Sequence, residues 1–116
     1  MRMYGYLKNP YKTNKRDYIY KVMLHETKNS GTFAYLYTSR NAISCSFDHH
    51  YADFEFARED WEDEIDEQGW IVIDDPLPDC QHDCFLPIRI KGRNIGKPEW
   101  GQYEILKDGK WEDFYY

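Results

Sequence analysis

The chain is poor in aliphatic residues and has no long apolar stretch. Ile, Leu, Val and Phe together account for 23 of 116 residues, a share low enough to raise the question of disorder. No run approaches the roughly 18–20 apolar residues that span a bilayer. The opening Met1-Arg2-Met3-Tyr4-Gly5-Tyr6 lacks the apolar stretch of a signal peptide. Three cysteines, Cys45, Cys80 and Cys84, cannot all pair within one molecule and suit a reducing compartment. The expectation is a cytoplasmic chain with no membrane association. GxxxxGK[ST] is absent, and no GxGxxG precedes a helix, so neither a P-loop nor a dinucleotide fingerprint is present.

Aromatic rings fill the gap. Eleven Tyr, six Phe and four Trp outnumber the 17 branched aliphatics. Each large ring buries on the order of 150–250 Å², so a core of aromatic bodies with polar tips at its boundary is expected. Such a composition favours sheets over a helical bundle, and the length fits one domain, residues 1–116.

Charge is distributed unevenly. Residues 1–40 carry a net +6, residues 41–85 a net −13 and residues 86–116 a net +1. An acidic middle between basic flanks suits intramolecular docking or capture of a partner.

Residues 1–16 mix Tyr4, Tyr6 and Tyr11 with Lys8, Lys12, Lys15 and Arg16 around Asn9-Pro10, without a sustained period, and read as a basic aromatic arm, mobile or docked at a sheet edge. From Asp17 the alternation of Tyr18, Tyr20, Val22 and Leu24 against Ile19, Lys21, Met23 and His25 predicts a strand. Turn chemistry at 27–31 and a second alternating run from Thr32 make it a hairpin. Ile43, Cys45 and Phe47 permit a short third strand. Phe54, Ala57, Trp61 and Ile65 then recur at helical spacing, with Asp53 as N-cap and Gly69 as stop. Trp70–Ile73 reads as a central strand, followed by strand-like runs at 85–91, 103–106 and 111–115, the last two separated by an Asp108-Gly109 turn. The fold class expected is α+β: a curved, mainly antiparallel β-sheet with one acidic amphipathic helix on one face.

That helix opposes its own electrostatics. Glu55/Glu59, Glu59/Asp63, Asp60/Glu64, Glu62/Asp66 and Asp63/Glu67 are like charges four apart, each pair costing roughly 0.2–0.5 kcal/mol in an isolated helix. Asp63, Glu64, Asp66 and Glu67 also fall at the end where the helix dipole disfavours negative charge. The face is a solvated surface, a seat for the chain's own basic segments, or a docking surface for a basic protein partner. The last reading, an inhibitor-like or immunity-like regulatory module, assigns partner binding to Glu59, Glu62, Asp63 and Asp66.

The alternative function is metal binding. Cys80, His82 and Cys84 offer three of the four sulfur and nitrogen donors that zinc prefers, with His49, His50 or Cys45 as a fourth. The Cys-x₃-Cys spacing lacks a second Cys/His pair, so buried structural cysteines are the competing reading. The flanking Asp74, Asp75, Asp79 and Asp83 disfavour a reactive thiolate.

Lys91-Gly92-Arg93-Asn94-Ile95-Gly96-Lys97 is a candidate anion-binding loop, set against a plain hairpin connection. The arm's tyrosines could stack on single-stranded nucleic acid, but a net −6 and pI near 5.1 argue against that partner. Exposed sheet edges leave the state as monomer or homodimer.

Overall fold

The computed structural model describes residues 1–13 and 16–116; Asn14 and Lys15, the latter a cation of the proposed arm, lie outside the described residues. The chain forms two compact units, Met1–Asp75 and Pro76–Tyr116. The architecture is α+β, and the strands divide between two antiparallel sheets rather than forming one. The division follows the Asp74-Asp75-Pro76-Leu77-Pro78 segment, whose prolines cannot donate to a ladder.

In the first unit, β1 (Arg2–Lys12), β2 (Tyr18–Glu26), β3 (Thr32–Tyr37), β4 (Phe47–Tyr51) and β5 (Ile71–Ile73) form a sheet in the order β4-β3-β2-β1-β5, with α1 (Phe54–Glu62) on one face. The expected β2–β3 hairpin is present, with Met23 opposite Tyr35 and the Thr27 N–H donating to the Gly31 carbonyl at 3.0 Å.

The segment expected as an arm is β1, an interior strand paired with β2 on one side and β5 on the other. Its irregular sequence reflects a jog in the ladder. Tyr6 faces Lys21 and Tyr11 faces Ile19, so four β1 residues span the distance of one β2 residue, Tyr20. Pro10, which lacks an N–H, sits in this surplus. Beyond the jog, Ile19 joins Val22 and Leu24 in the core, not the opposite face that strict alternation gives it.

Along the other side of the jog β1 meets the chain leaving α1. Leu7 bridges Ile65, the Lys8 N–H donates to the Glu64 carbonyl at 2.8 Å, and the Asp66 N–H donates to the Tyr6 carbonyl at 2.8 Å. This pairing explains why the helix stops at Glu62, short of the expected Glu67. Ending there places Glu64, Asp66 and Glu67 off the unfavourable end of the dipole and supplies the backbone of Glu64 and Asp66 with strand partners. The N-cap is as expected, with Asp53 Oδ1 accepting from the Phe56 N–H at 2.8 Å. Gly69, at φ 71°, closes the following turn and not the helix.

Gly5 admits this close approach. A Cβ there would lie 2.8 Å from Ile65 Cγ2 and 2.9 Å from Cδ1. Gly5→Ala is expected to destabilise the first unit by about 1–2 kcal/mol, because the flexible end of Ile65 can shift only partly; urea unfolding followed by circular dichroism measures it.

Two further strands differ from expectation. Residues 39–46 form a loop, and the third strand begins at Phe47. The reason is Lys21, whose Nζ draws the Arg40 and Ala42 carbonyls to 3.0 and 2.8 Å. Trp70–Ile73 is not central: β5 is an edge strand paired only with β1, with Val72 65% exposed.

The second unit is a meander of β6 (Ile88–Ile90), β7 (Tyr103–Lys107) and β8 (Lys110–Phe114), preceded by a loop that buries Cys80 and Cys84. Asp108 and Gly109 both take positive φ, 52° and 78°, as a two-residue hairpin turn requires.

Candidate functional site

Alternation along β4 turns Phe47, His49 and Tyr51 toward the face that carries α1, since they pair with Leu36, Ala34 and Thr32. On α1, Ala57 and Trp61 are buried against that face, while Asp60 lies one residue aside on the exposed flank. Tyr11, past the jog in β1, sets its ring edge-on to Trp61 with centroids 6.1 Å apart. Together Tyr11, His49, Tyr51, Asp60, Trp61 and Glu64 line a hollow of about 320 Å³. A second hollow of about 370 Å³ shares Tyr11 and His49 and adds Leu36 and Phe47 to its wall.

Two of the polar hydrogens of the first hollow, those of Trp61 and Tyr51, are engaged within its wall. The Trp61 indole N–H donates to the Tyr51 hydroxyl at 3.1 Å, and that hydroxyl donates to Asp60 Oδ2 at 2.5 Å. Burial, with the Asp60 carboxylate as acceptor, pushes the Tyr51 phenol up to about 12. Tyr51 therefore stays neutral and locks α1 to β4. Among the described residues neither Asp60 nor Glu64 forms an ion pair, and His49 makes no hydrogen bond to either. The lining offers carboxylate oxygens and ring surface, with no assembled acid–base couple.

The four acids singled out in the sequence have different fates. Glu59 is exposed on α1, Asp63 is the C-cap with an exposed side chain, and neither is ion-paired among the described residues. Glu62 accepts from the Trp70 indole N–H at 2.6 Å and from Arg58 at 3.3 Å. The Trp70 hydrogen bond in particular holds its carboxyl below the usual carboxylate range. Asp66 lies off the helix, and its carboxylate accepts from the Gln68 N–H at 3.0 Å. The expectation that all four lie on one helical surface is corrected: two of them belong to the helix, and Glu62 and Asp66 hold local structure.

In the second unit Cys80 and Cys84 are buried and His82 is exposed. Cys80 bridges Arg89, and Cys84 Sγ lies 3.3 Å from the Tyr116 hydroxyl. Among the described residues no group of three or more His, Cys, Asp and Glu side chains is arranged to hold a metal.

The glycine loop closes on itself. The Ile95 and Lys97 N–H groups donate to the Gly92 carbonyl and that of Gly96 to the Arg93 carbonyl. Lys91 pairs with Asp113 at 3.3 Å, and Arg93 donates to Gln81 at 3.0 Å. Those amides are turned inward, as a plain connection requires. In the first unit Tyr4 and Tyr6 meet edge-on at 5.7 Å and Arg40 covers the Tyr6 ring at 3.9 Å, so these rings are engaged within the chain.

Sequence reasoning missed Tyr11, His49, Tyr51, Asp60, Trp61 and Glu64 as a set. The readable signal was Asp60 and Glu64, four apart and flanking a core Trp61. No protein-family model matches the chain, and neither a curated protein nor a solved structure matches it.

Proposed function

We propose that this chain is a small interaction module of the inhibitor or regulatory kind, which binds a basic surface of a protein partner through the acidic side of α1 and the turn that follows. The observation that carries the reading is a concentration of carboxylates without cations. Residues 53–67 hold nine acids against Arg58 alone, and Glu55, Glu59, Asp60, Asp63 and Glu64 are exposed and, among the described residues, form no ion pair. At 100° per residue Glu55, Glu59 and Glu62 point away from Ala57 and Trp61, so the field is directed to solvent. Like-charge repulsion in the free chain is relieved when a partner's cations arrive, and the same field steers encounter.

The test uses Glu59→Lys with Asp63→Lys, which spares the local hydrogen bonds of Glu62 and Asp66. Asp63→Lys also improves the match to the helix dipole, so the fold is preserved. Basic proteins retained from a cell extract by the immobilised chain are expected to fall at least about tenfold with the double variant, and to be released as salt shortens the screening length below about 8 Å. Retention of the same proteins by both chains, or of no basic protein by the unaltered one, overturns the reading.

A further inference from the structure

We propose that the hollow between Tyr11, Tyr51 and Trp61 is a pocket for one arginine side chain of that basic protein partner. The inference rests on the proposed function and adds where, and by which chemistry, the partner is gripped.

The hollow has three aromatic walls and two carboxylates, Asp60 and Glu64, that lack ion pairs among the described residues. The Tyr51 hydroxyl and the Trp61 N–H are already engaged with each other and with Asp60. An occupant that engages Asp60 and Glu64 must bring hydrogen-bond donors and positive charge, and one that fills the hollow must present a surface that rests on rings. At about 320 Å³ the hollow lies at the small end of ligand sites, room for a side chain rather than a cofactor.

A guanidinium meets each requirement. It is planar, stacks on aromatic faces, is weakly hydrated and forks onto carboxylate oxygens, whereas an ammonium is a compact, strongly hydrated point charge. Preorganisation favours the fit: Trp61 is 7% exposed and held by packing, and Tyr51 is held by hydrogen bonds on both sides. Of the three aromatic walls, Tyr11, at 52% exposure, is the one with room to adjust over an incoming group. The second hollow, where Phe47 and Leu36 share the wall with Thr13, Ser46 and Asp48, gives the residue beside that arginine a mixed polar and apolar seat.

Titration of the full chain with acetyl-Gly-Arg-Gly-amide, followed by amide NMR shifts, tests the pocket. Shifts are expected at Tyr11, His49, Tyr51, Asp60 and Glu64. The peptide with citrulline, which keeps the shape and loses the charge, should bind at least about tenfold more weakly, and the lysine peptide about threefold or more weakly. Asp60→Asn with Glu64→Gln should weaken the arginine peptide at least about tenfold, with the Asn oxygen still available to the Tyr51 hydroxyl. Tyr11→Ala, at a half-exposed position outside the buried core, should weaken it about threefold or more. Glu59→Lys with Asp63→Lys should weaken the peptide less than the Asp60/Glu64 pair does, since neither side chain lines the hollow.

Equal binding of the citrulline or lysine peptide overturns the proposal, as do shifts elsewhere on the chain or indifference to both pocket variants. Free arginine binding as tightly as the peptide overturns the protein source. Loss of protein retention in the Glu59/Asp63 variant alongside no arginine binding would refute the pocket alone. Arginine binding without any protein retention would refute the interaction module and, with it, the protein source.

Discussion

Trp61→Ala is expected to cost the first unit about 3–5 kcal/mol, the range for removing a large aromatic from a packed core. Trp61 is buried among Met3, Leu7, Ile19, Val22, Leu24 and Ile65, and no other residue of α1 but Ala57 is fully buried. It is therefore the principal apolar link between helix and sheet. Its loss removes the support of the Tyr11 ring and the donor to the Tyr51 hydroxyl as well. Against a total stability of about 5–15 kcal/mol, this is a large fraction. Trp61→Phe separates the effects, because it keeps most of the ring and deletes the N–H, and should cost only about 1 kcal/mol beyond its smaller volume. Urea midpoints at constant m, read by circular dichroism, distinguish the two variants. A Trp61→Ala midpoint equal to that of the unaltered chain would refute the placement of the helix.

Lys21→Met is expected to have the second largest effect, and a pH dependence that identifies its cause. Lys21 is 3% exposed, donates to the Arg40 and Ala42 carbonyls, and lies 4.8 Å from the Tyr37 ring centroid. Replacing it with Met leaves two carbonyls without their donor, a loss of about 1–3 kcal/mol at neutral pH. Desolvation lowers the ammonium from 10.5 to about 8. Between those values the unfolded chain holds a proton that the folded chain has released, so raising the pH through that window stabilises the folded state. The contribution is complete above pH 10.5 and absent below pH 8. A gap of this size corresponds to no more than about 3–4 kcal/mol. The stability difference between the unaltered chain and Lys21→Met should therefore widen as pH rises from 8 to 10.5, while titrations common to both chains cancel. A constant difference across that range would exclude Lys21 as its source.

What the sequence made legible is what neighbouring residues decide. The β2–β3 hairpin, the Asp53 cap and the Asp108-Gly109 turn depend on residues a few positions apart, and all three are present. Long-range pairing was not legible. β1 looked like an arm because Lys8, Asn9 and Pro10 interrupt its alternation, and only the returning chain at Glu64–Asp66 gives that interruption a partner. The end of α1 was overrun for the same reason, since helical spacing continues to Ile65 while the backbone has already turned to Leu7. Lys21 read only as one member of an alternating strand, and the loop carbonyls that bury it have no signature in their side chains. The hollow is assembled from β1, β4, α1 and the turn after it, which no local pattern joins.

The jog in β1 gives this sheet a parity rule. Its three surplus residues are an odd number, so the ladder on the Ile19 side runs in antiphase with the ladder on the Lys21 side. A change in the length of that stretch is expected to preserve both faces only in steps of two. A single added or missing residue would invert which side of the hairpin tip is oily, turning Ile19 to water and drawing its neighbours Tyr18 and Tyr20 inward.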